Sequence, residues 1–385
     1  MGTRSTDRRP LRVIDSTLRE GEQFAQAQFS PDDRIRLALE LDAFGVDELE
    51  LPSPAVGPAA AAEVSTVIGL RLRAAVRVHV RCHPGDIEAA LAAGATGLHL
   101  YLGTSPSRVA GRASSWPRMA QEIRDSVTLA RSSGAFVRFS AEDAFRTPIR
   151  RLFAAFDVAM EAGAQRLGVP DTVGVATPDQ VARTVRRVAA RYPGISQEFH
   201  GHNDTGCAVA NSVAAWRAGA DSLDVTVLGI GERVGITSLS GLMARLYTLD
   251  PASVARYQLA QLPGLDAQVA RLSGMEIPFN QPLTGEHAFT HVAGVHSHAV
   301  LQAPQSYEAI DPAVVGRARV ISVGTRLTGR HAVADFAARL LGREIGSGEA
   351  QTATVALRAA AASGRLGPVA AAGIVRAALA VPGRD

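Results

Sequence analysis

Lysine is missing from this chain: all 40 of its basic residues are arginine. That one absence removes several chemistries, because Schiff-base aldolases, pyridoxal-phosphate enzymes and Walker-A nucleotidases each depend on a lysine amine. Cysteine is nearly missing too. Cys82 and Cys207 stand far apart and can build neither a disulfide framework nor a cysteine-rich zinc site. Each reads as a small buried hydrophobe. No apolar run approaches the roughly 20 residues of a membrane span, and the opening residues carry no apolar signal core. A cytoplasmic protein without membrane contact is expected. A strong charge of one sign is lacking as well. The formal charge is +3, and arginines such as Arg8, Arg9, Arg186 and Arg187 are scattered. A nucleic-acid footprint would gather them on a face or stripe, so no nucleic-acid partner is expected.

What is present suits a sizeable core. The 385 residues are 46% hydrophobic and 20% charged, enough for a barrel of ~250 residues and an extension. From Leu11 to about Leu246, short apolar strands alternate with longer amphipathic stretches. Strands are predicted at 12–15, 48–51, 74–80, 97–102, 136–140, 166–169, 196–200 and 222–227. Helical stretches between them include 31–43, 86–93, 117–132, 148–162, 178–192 and 206–218. Ser30 before Pro31 and Thr177 before Pro178 are helix-start signals. Eight such units predict a (β/α)8 TIM barrel. A doubly wound sheet is the competing architecture, but no G-x-G-x-x-G follows the first strand. The expected division is a barrel over 1–250, a linker and lid over 251–310, and a small helical domain over 311–385. The last residues, 382–385, are expected to fray. The segment 278–309 carries His287, His291, His296 and His298.

Barrel enzymes place their chemistry at the C-terminal ends of the strands. Reactive residues gather there: Asp15, Arg19 and Glu20 after strand 1, Glu50 on strand 2 and His79 on strand 3. Arg138, Ser140 and Glu142 follow on strand 5, Asp171 and Thr172 after strand 6, and His200 and His202 at the end of strand 7. Alternate strand residues point to one face, so the imidazoles of His200-Gly201-His202 project together. Two imidazoles and a carboxylate make a facial metal site with open positions for a chelating substrate. Glu20 and Asp15 are the candidate carboxylates. Structural histidines are the competing reading of an isolated H-x-H.

The segment Asp15-Ser16-Thr17-Leu18-Arg19-Glu20-Gly21-Glu22-Gln23 resembles the signature of the Claisen-condensing metallo-TIM-barrel enzymes. That family includes isopropylmalate, citramalate and homocitrate synthases, and glutamate at Glu20 is the homocitrate synthase form. Similar too are Arg138–Asp143, Asp171–Pro178, Glu198–Asp204, Gly229–Arg233 and Arg326–His331. The resemblance covers about residues 11–335. It implies an acyltransferase that joins acetyl-CoA, its co-substrate, to a 2-oxo acid. By the same resemblance Glu20, His200 and His202 hold a divalent magnesium, manganese or zinc ion. Arg19 stabilises the developing alkoxide, Thr172 and Gln23 hold the C1 end of the substrate, and Glu50 supports the metal shell or Arg19. His79, Arg138 and Ser140 hold the distal acidic group. His296, Glu142 and Tyr307 share the removal of the acetyl proton, and the lid comes from a partner subunit in a homodimer.

The chain departs from that pattern in two places. His298 stands where a lysine is usual after the lid histidine, and Val78–His83 differs from the usual Thr-His-Ile-Gln-Cys-Arg. Feedback through a leucine-sensing C-terminal domain is not expected. The expected oxo acid is 2-oxoglutarate, with phosphonopyruvate or another alkylmalate-type substrate as the alternative. Three readings stand further off. They are a 2-His-1-carboxylate iron oxygenase with the same ligand set, a lyase of the hydroxymethylglutaryl-CoA type whose loop cysteine is not found here, and an arginine-rich nucleic-acid binder.

Overall fold

The structure, a computed structural model, describes residues 10–111 and 115–380. Arg8, Arg9 and the expected frayed end at 382–385 lie outside the described residues. The chain divides into two compact units, one through Ile277 and one from Pro278.

The first unit is a closed barrel of eight parallel strands in sequence order. Its strands are β1 (Arg12–Asp15), β2 (Glu48–Leu51), β3 (Ala75–Arg81), β4 (Gly97–Gly103), β5 (Phe136–Glu142), β6 (Arg166–Asp171), β7 (Ser196–Gly201) and β8 (Ser222–Val225). Pairing of β1 with β8 closes the ring, so the predicted (β/α)8 fold is present. Its helices are α1 (Pro31–Phe44), α2 (Pro58–Gly69), α3 (Pro84–Ala92), α4 (Pro106–Gly111), α5 (Trp116–Ser132), α6 (Ile149–Glu161), α7 (Pro178–Arg191), α8 (Ala208–Ala218), α9 (Leu239–Leu249) and α10 (Leu262–Leu272). Both helix starts read from the sequence carry full capping boxes, Ser30 with Asp33 and Thr177 with Gln180. Such boxes satisfy two of the amide donors that a helix start leaves unpaired.

Strand alternation sorts the side chains into two environments. Val13, Leu49, Val78, Leu98, Val137, Leu167, Phe199 and Leu223 are buried hydrophobics of the core. The opposite register is not apolar. Glu48, Glu50, His99, Arg138, Arg166 and Glu198 lie buried there and neutralise one another. Arg166 bridges Glu48 and Glu198, while Arg138 reaches Glu198 and Glu50. Barrel interiors are more often layered with branched apolar residues. Here the layers are ionic.

The first unit extends beyond the expected boundary at 250. Leu262, Leu265 and Val269 of α10 are buried, and the Gln258 amide donates to Phe44 O at 2.9 Å. Residues 251–277 therefore belong with the barrel. No division falls near 310 either. In the second unit β9 (Thr290–His291) pairs with β10 (Val320–Ile321). Val300 of α11 (Gly294–Gln302) shares one core with Val333 of α12 (Arg330–Leu341), Leu357 of α13 (Ser347–Ala360) and Val375 of α14 (Pro368–Ala380). Lid and helical domain are one packed body. Among the described residues no helix is long and apolar enough to cross a membrane.

Candidate active site

After β1 the chain coils tightly, with the amides of Arg19 and Glu20 both donating to Ser16 O at 2.9 and 2.7 Å. This coil turns both side chains into a cavity of about 240 Å³ at the strand ends. The cavity is also lined by Gln23, His79, Arg138, Ser140, Glu142, Thr172, His200 and His202. Asp15, Glu50 and Asp171, also expected at the strand ends, do not line it; Glu50 lies buried against Arg19 and His79.

Glu20, His200 and His202 each offer a ligand atom, all within 4.8 Å of one another. The two Nε2 atoms are 3.4 Å apart. His200 Nδ1 lies 2.9 Å from Asp224 Oδ2, a carboxylate that fixes the ring and leaves Nε2 facing the cluster. The Glu232 amide donates to Glu20 Oε1 at 2.9 Å. Gly231 leaves room for that approach, since a Cβ there would lie 2.8 Å from the same oxygen. Burial alone would raise the Glu20 carboxyl, but the Arg19 guanidinium and the two imidazoles hold it below its ordinary value. Burial and the His200 charge push His202 down to about 4. A carboxylate beside two imidazoles is the donor set a divalent cation takes. The residues fit a metal.

Asp15, the other candidate carboxylate, is not part of this cluster. It is fully buried and accepts the Thr17 amide at 2.8 Å. Among the described residues its Oδ2 has no hydrogen-bond partner. Burial drives its carboxyl up to about 7, with Asp224 adding to the rise. A folded-state value above the unfolded one favours folding at low pH. That stability is lost as the pH climbs from about 4 to 7, roughly 4 kcal/mol in total. Asp15→Asn is expected to remove this share of the slope. Urea unfolding at pH 5 and pH 7.5 checks it, and identical slopes in both proteins would refute the assignment.

Glu50 is the hub under the cavity. Its Oε2 accepts from Ser16 Oγ at 2.7 Å and Arg19 Nε at 2.6 Å. Its Oε1 lies 2.7 Å from His99 Nδ1, 3.2 Å from His79 Nδ1 and 3.4 Å from Arg138 Nη2. Burial would raise this carboxyl too, yet Arg19 and His79 hold it well below the usual range. Burial and Arg19 push His79 down to about 4, so it is neutral at pH 7. Tyr101 stacks on it, centroids 4.5 Å apart. Arg138 is buried and bound to Glu198. Thr172 Oγ1 accepts the Asp143 amide at 2.9 Å and keeps its own proton to offer.

His296 and Tyr307 lie in the second unit, their rings 4.2 Å apart. His291 pairs with Glu308, and His298 stacks on His331 at 3.8 Å. Sequence reasoning passed over Tyr101, Arg108, Glu198, Asp224, Glu232 and Arg233. Arg233 clamps Asp204 at 2.7 Å and Thr172 O at 2.9 Å, and Gly229–Arg233 was the signal available for it.

Comparison with known proteins follows the same lines. The HMGL-like family model matches residues 10–269. The model described as homocitrate synthase post-HMGL domain-like matches residues 283–365. The chain is similar to the mitochondrial homocitrate synthase of Yarrowia lipolytica, 42% identical over 325 residues, 84% of this chain and 73% of that one. To the cytosolic homocitrate synthase isozyme of Saccharomyces cerevisiae it is 40% identical, over 84% of this chain and 76% of that one. A probable 2-isopropylmalate synthase of Methanopyrus kandleri is 38% identical over 84% of this chain and 64% of its own length. Among solved structures, the hydroxymethylglutaryl-CoA lyase of Pseudomonas aeruginosa aligns with a TM-score of 0.62 at 20% identity, over 73% of this chain and 97% of that one. The HMG-CoA lyase of Bacillus subtilis gives 0.63 at 19%, over 70% and 95%. These two likenesses concern the fold.

Proposed function

This chain belongs to the HMGL-like family, in its homocitrate synthase branch, and from that premise we propose that it condenses acetyl-CoA with 2-oxoglutarate. The acetyl methyl carbon bonds to C2 of the oxo acid, water cleaves the thioester, and homocitrate and CoA leave. The observation that carries this reading is the union, in one cavity, of the Glu20–His200–His202 cluster with Arg19 and a buried Arg138.

A divalent ion held by Glu20, His200 and His202 supplies Lewis-acid polarisation of the oxo acid. The rest is done by the chain's own residues. Arg19, fixed by Glu50 and Glu20, points a rigid cation at the oxygen that gathers charge as the new bond forms. Thr172 and Gln23 hold the C1 carboxylate. Arg138, His79 and Ser140 receive the distal carboxylate, for which a guanidinium fork is the natural partner. Glu142, with His296 and Tyr307, removes the methyl proton. CoA release measured across 2-oxoglutarate, oxaloacetate, 2-oxoisovalerate, pyruvate and phosphonopyruvate tests the reading. The largest kcat/KM should belong to 2-oxoglutarate. Preference for phosphonopyruvate would keep the chemistry and replace the substrate, whereas preference for 2-oxoisovalerate would remove the role of Arg138.

The reading includes a homodimer in which His296 serves the neighbouring barrel. His296 and Tyr307 lie in the unit that follows the barrel, and Gly285 and Gly294 flank the segment leading to His296. Mixed dimers of His296→Ala and His200→Ala chains are then expected to recover partial activity, because one of their two sites receives both intact halves. Tagged chains verify subunit exchange, and verified heterodimers without activity would mean that His296 serves its own barrel or is not the base at all. The reaction is assigned to the cytoplasm, as for the cytosolic isozyme among the relatives.

A further inference from the structure

Glu142 ends β5, directly opposite Gly103, the last residue of β4. Its backbone is held on two sides. Glu142 O accepts the Thr104 amide at 3.1 Å, and the next residue, Asp143, turns into the left-handed region at φ 64° with its amide on Thr172. The carboxylate is met by a residue from another element. Arg108, on α4, leans back over Gly103 and brings Nη2 to 3.1 Å from Glu142 Oε1. Gly103 makes that crossing possible. A Cβ there would stand 2.8 Å from Arg108 Cβ and 3.0 Å from Glu142 Oε2, so the pair packs over a bare strand end. The same two side chains line both the cavity above the metal cluster and an adjoining cavity of about 490 Å³. The pair therefore stands where the two cavities adjoin.

We propose that Arg108 is a positioning residue for the condensation, aiming the Glu142 carboxylate at the junction where the acetyl methyl arrives. The inference rests on the reading that Glu142 takes part in removing the methyl proton. Arg108 itself is half exposed, 48%, and is not a member of the buried Glu48–Glu50–Arg138–Arg166–Glu198 ion-pair network. Its removal should therefore change proton transfer and spare the fold and the oxo acid.

Arg108→Gln is expected to lower kcat at least tenfold, a fraction of what a positioned general base contributes. The KM for 2-oxoglutarate should stay within about twofold. The deciding readout is the kinetic isotope effect with methyl-deuterated acetyl-CoA, which should grow as proton transfer becomes limiting. Arg108→Lys should recover most of the rate. Gly103→Ala should reproduce the loss with both charges present, and it serves as the test if Arg108→Gln fails to fold. A wild-type rate in Arg108→Gln, a loss with an unchanged isotope effect, or a loss seen chiefly in the KM for the oxo acid overturns the inference. Wild-type protein that releases no CoA from 2-oxoglutarate and acetyl-CoA would instead strike the functional reading beneath it.

Discussion

Glu20→Ala or His200→Ala protein should bind no divalent ion at micromolar concentrations and should lose at least a thousandfold in kcat. Three protein ligands are the minimum on which an open metal site is built. Either substitution leaves two, and the ion's contribution to stabilising transition-state charge is several kcal/mol, about three powers of ten in rate. The substitutions are not equivalent in their side effects. Removing Glu20 also takes a carboxylate from Arg19, which keeps Glu50. Removing His200 leaves Asp224 Oδ2 without its imidazole. Both proteins should fold, since each deleted group lies at the cavity wall. The wild type, stripped by a chelator, should be inactive and recover on addition of a divalent salt. Full activity in chelated protein, with the absence of metal confirmed by elemental analysis, would end the metal assignment.

Arg138→Ala should weaken binding of 2-oxoglutarate by roughly 2–5 kcal/mol, about thirtyfold to several thousandfold, the usual result of truncating one partner of a desolvated charge pair. The structure adds a second consequence. Arg138 already touches Glu198 and Glu50, so its loss leaves buried carboxylates uncompensated, a cost of roughly 3–5 kcal/mol in folding free energy. The two effects can be separated. In Arg138→Met combined with Glu198→Gln, much of the stability should return while the affinity for the dicarboxylate stays low. Calorimetric titration with 2-oxoglutarate and denaturant unfolding measure the two quantities independently. Unchanged kcat/KM for 2-oxoglutarate in Arg138→Ala would show that the distal carboxylate binds elsewhere.

Much of the barrel was legible because its signals are local. Most strands carry alternate apolar residues beside a turn, and capped starts such as Ser30 and Thr177 announce their helices. The alanine-rich α2 offers little contrast between its faces, so periodicity does not mark it. The Glu20–His200–His202 cluster was legible in part. An H-x-H at a strand end points two imidazoles one way but reads equally as structural histidines, and only the resemblance preferred Glu20 to Asp15; the coil after β1 turns Glu20 toward them. The interior charges were not legible. Arg166 meets Glu48 across 118 positions and Arg138 meets Glu198 across 60, and no local pattern announces partners so remote. Arg108 escaped for a related reason: it stands on α4 and its partner ends β5, across a glycine of β4 whose importance is spatial.

The ionic layers inside the barrel also bear on how the chain reaches its fold. A half-barrel ending after β4 would bring together Glu48, Glu50, His99 and Arg77 but not Arg138 or Arg166. The other half would hold those two arginines with Glu198 and Asp224. Each half keeps some pairs of its own, Glu50 with Arg19 and Glu48 with Arg77 in the first, Arg138 and Arg166 with Glu198 in the second. Arg166 meets Glu48 and Arg138 meets Glu50 only across the halves, and a buried ion deprived of a partner costs several kcal/mol. Closure of the ring removes that penalty for both at once, which makes the last docking event strongly cooperative. Such long-range closure slows folding and gives half-barrel fragments a chemical reason to find each other when mixed.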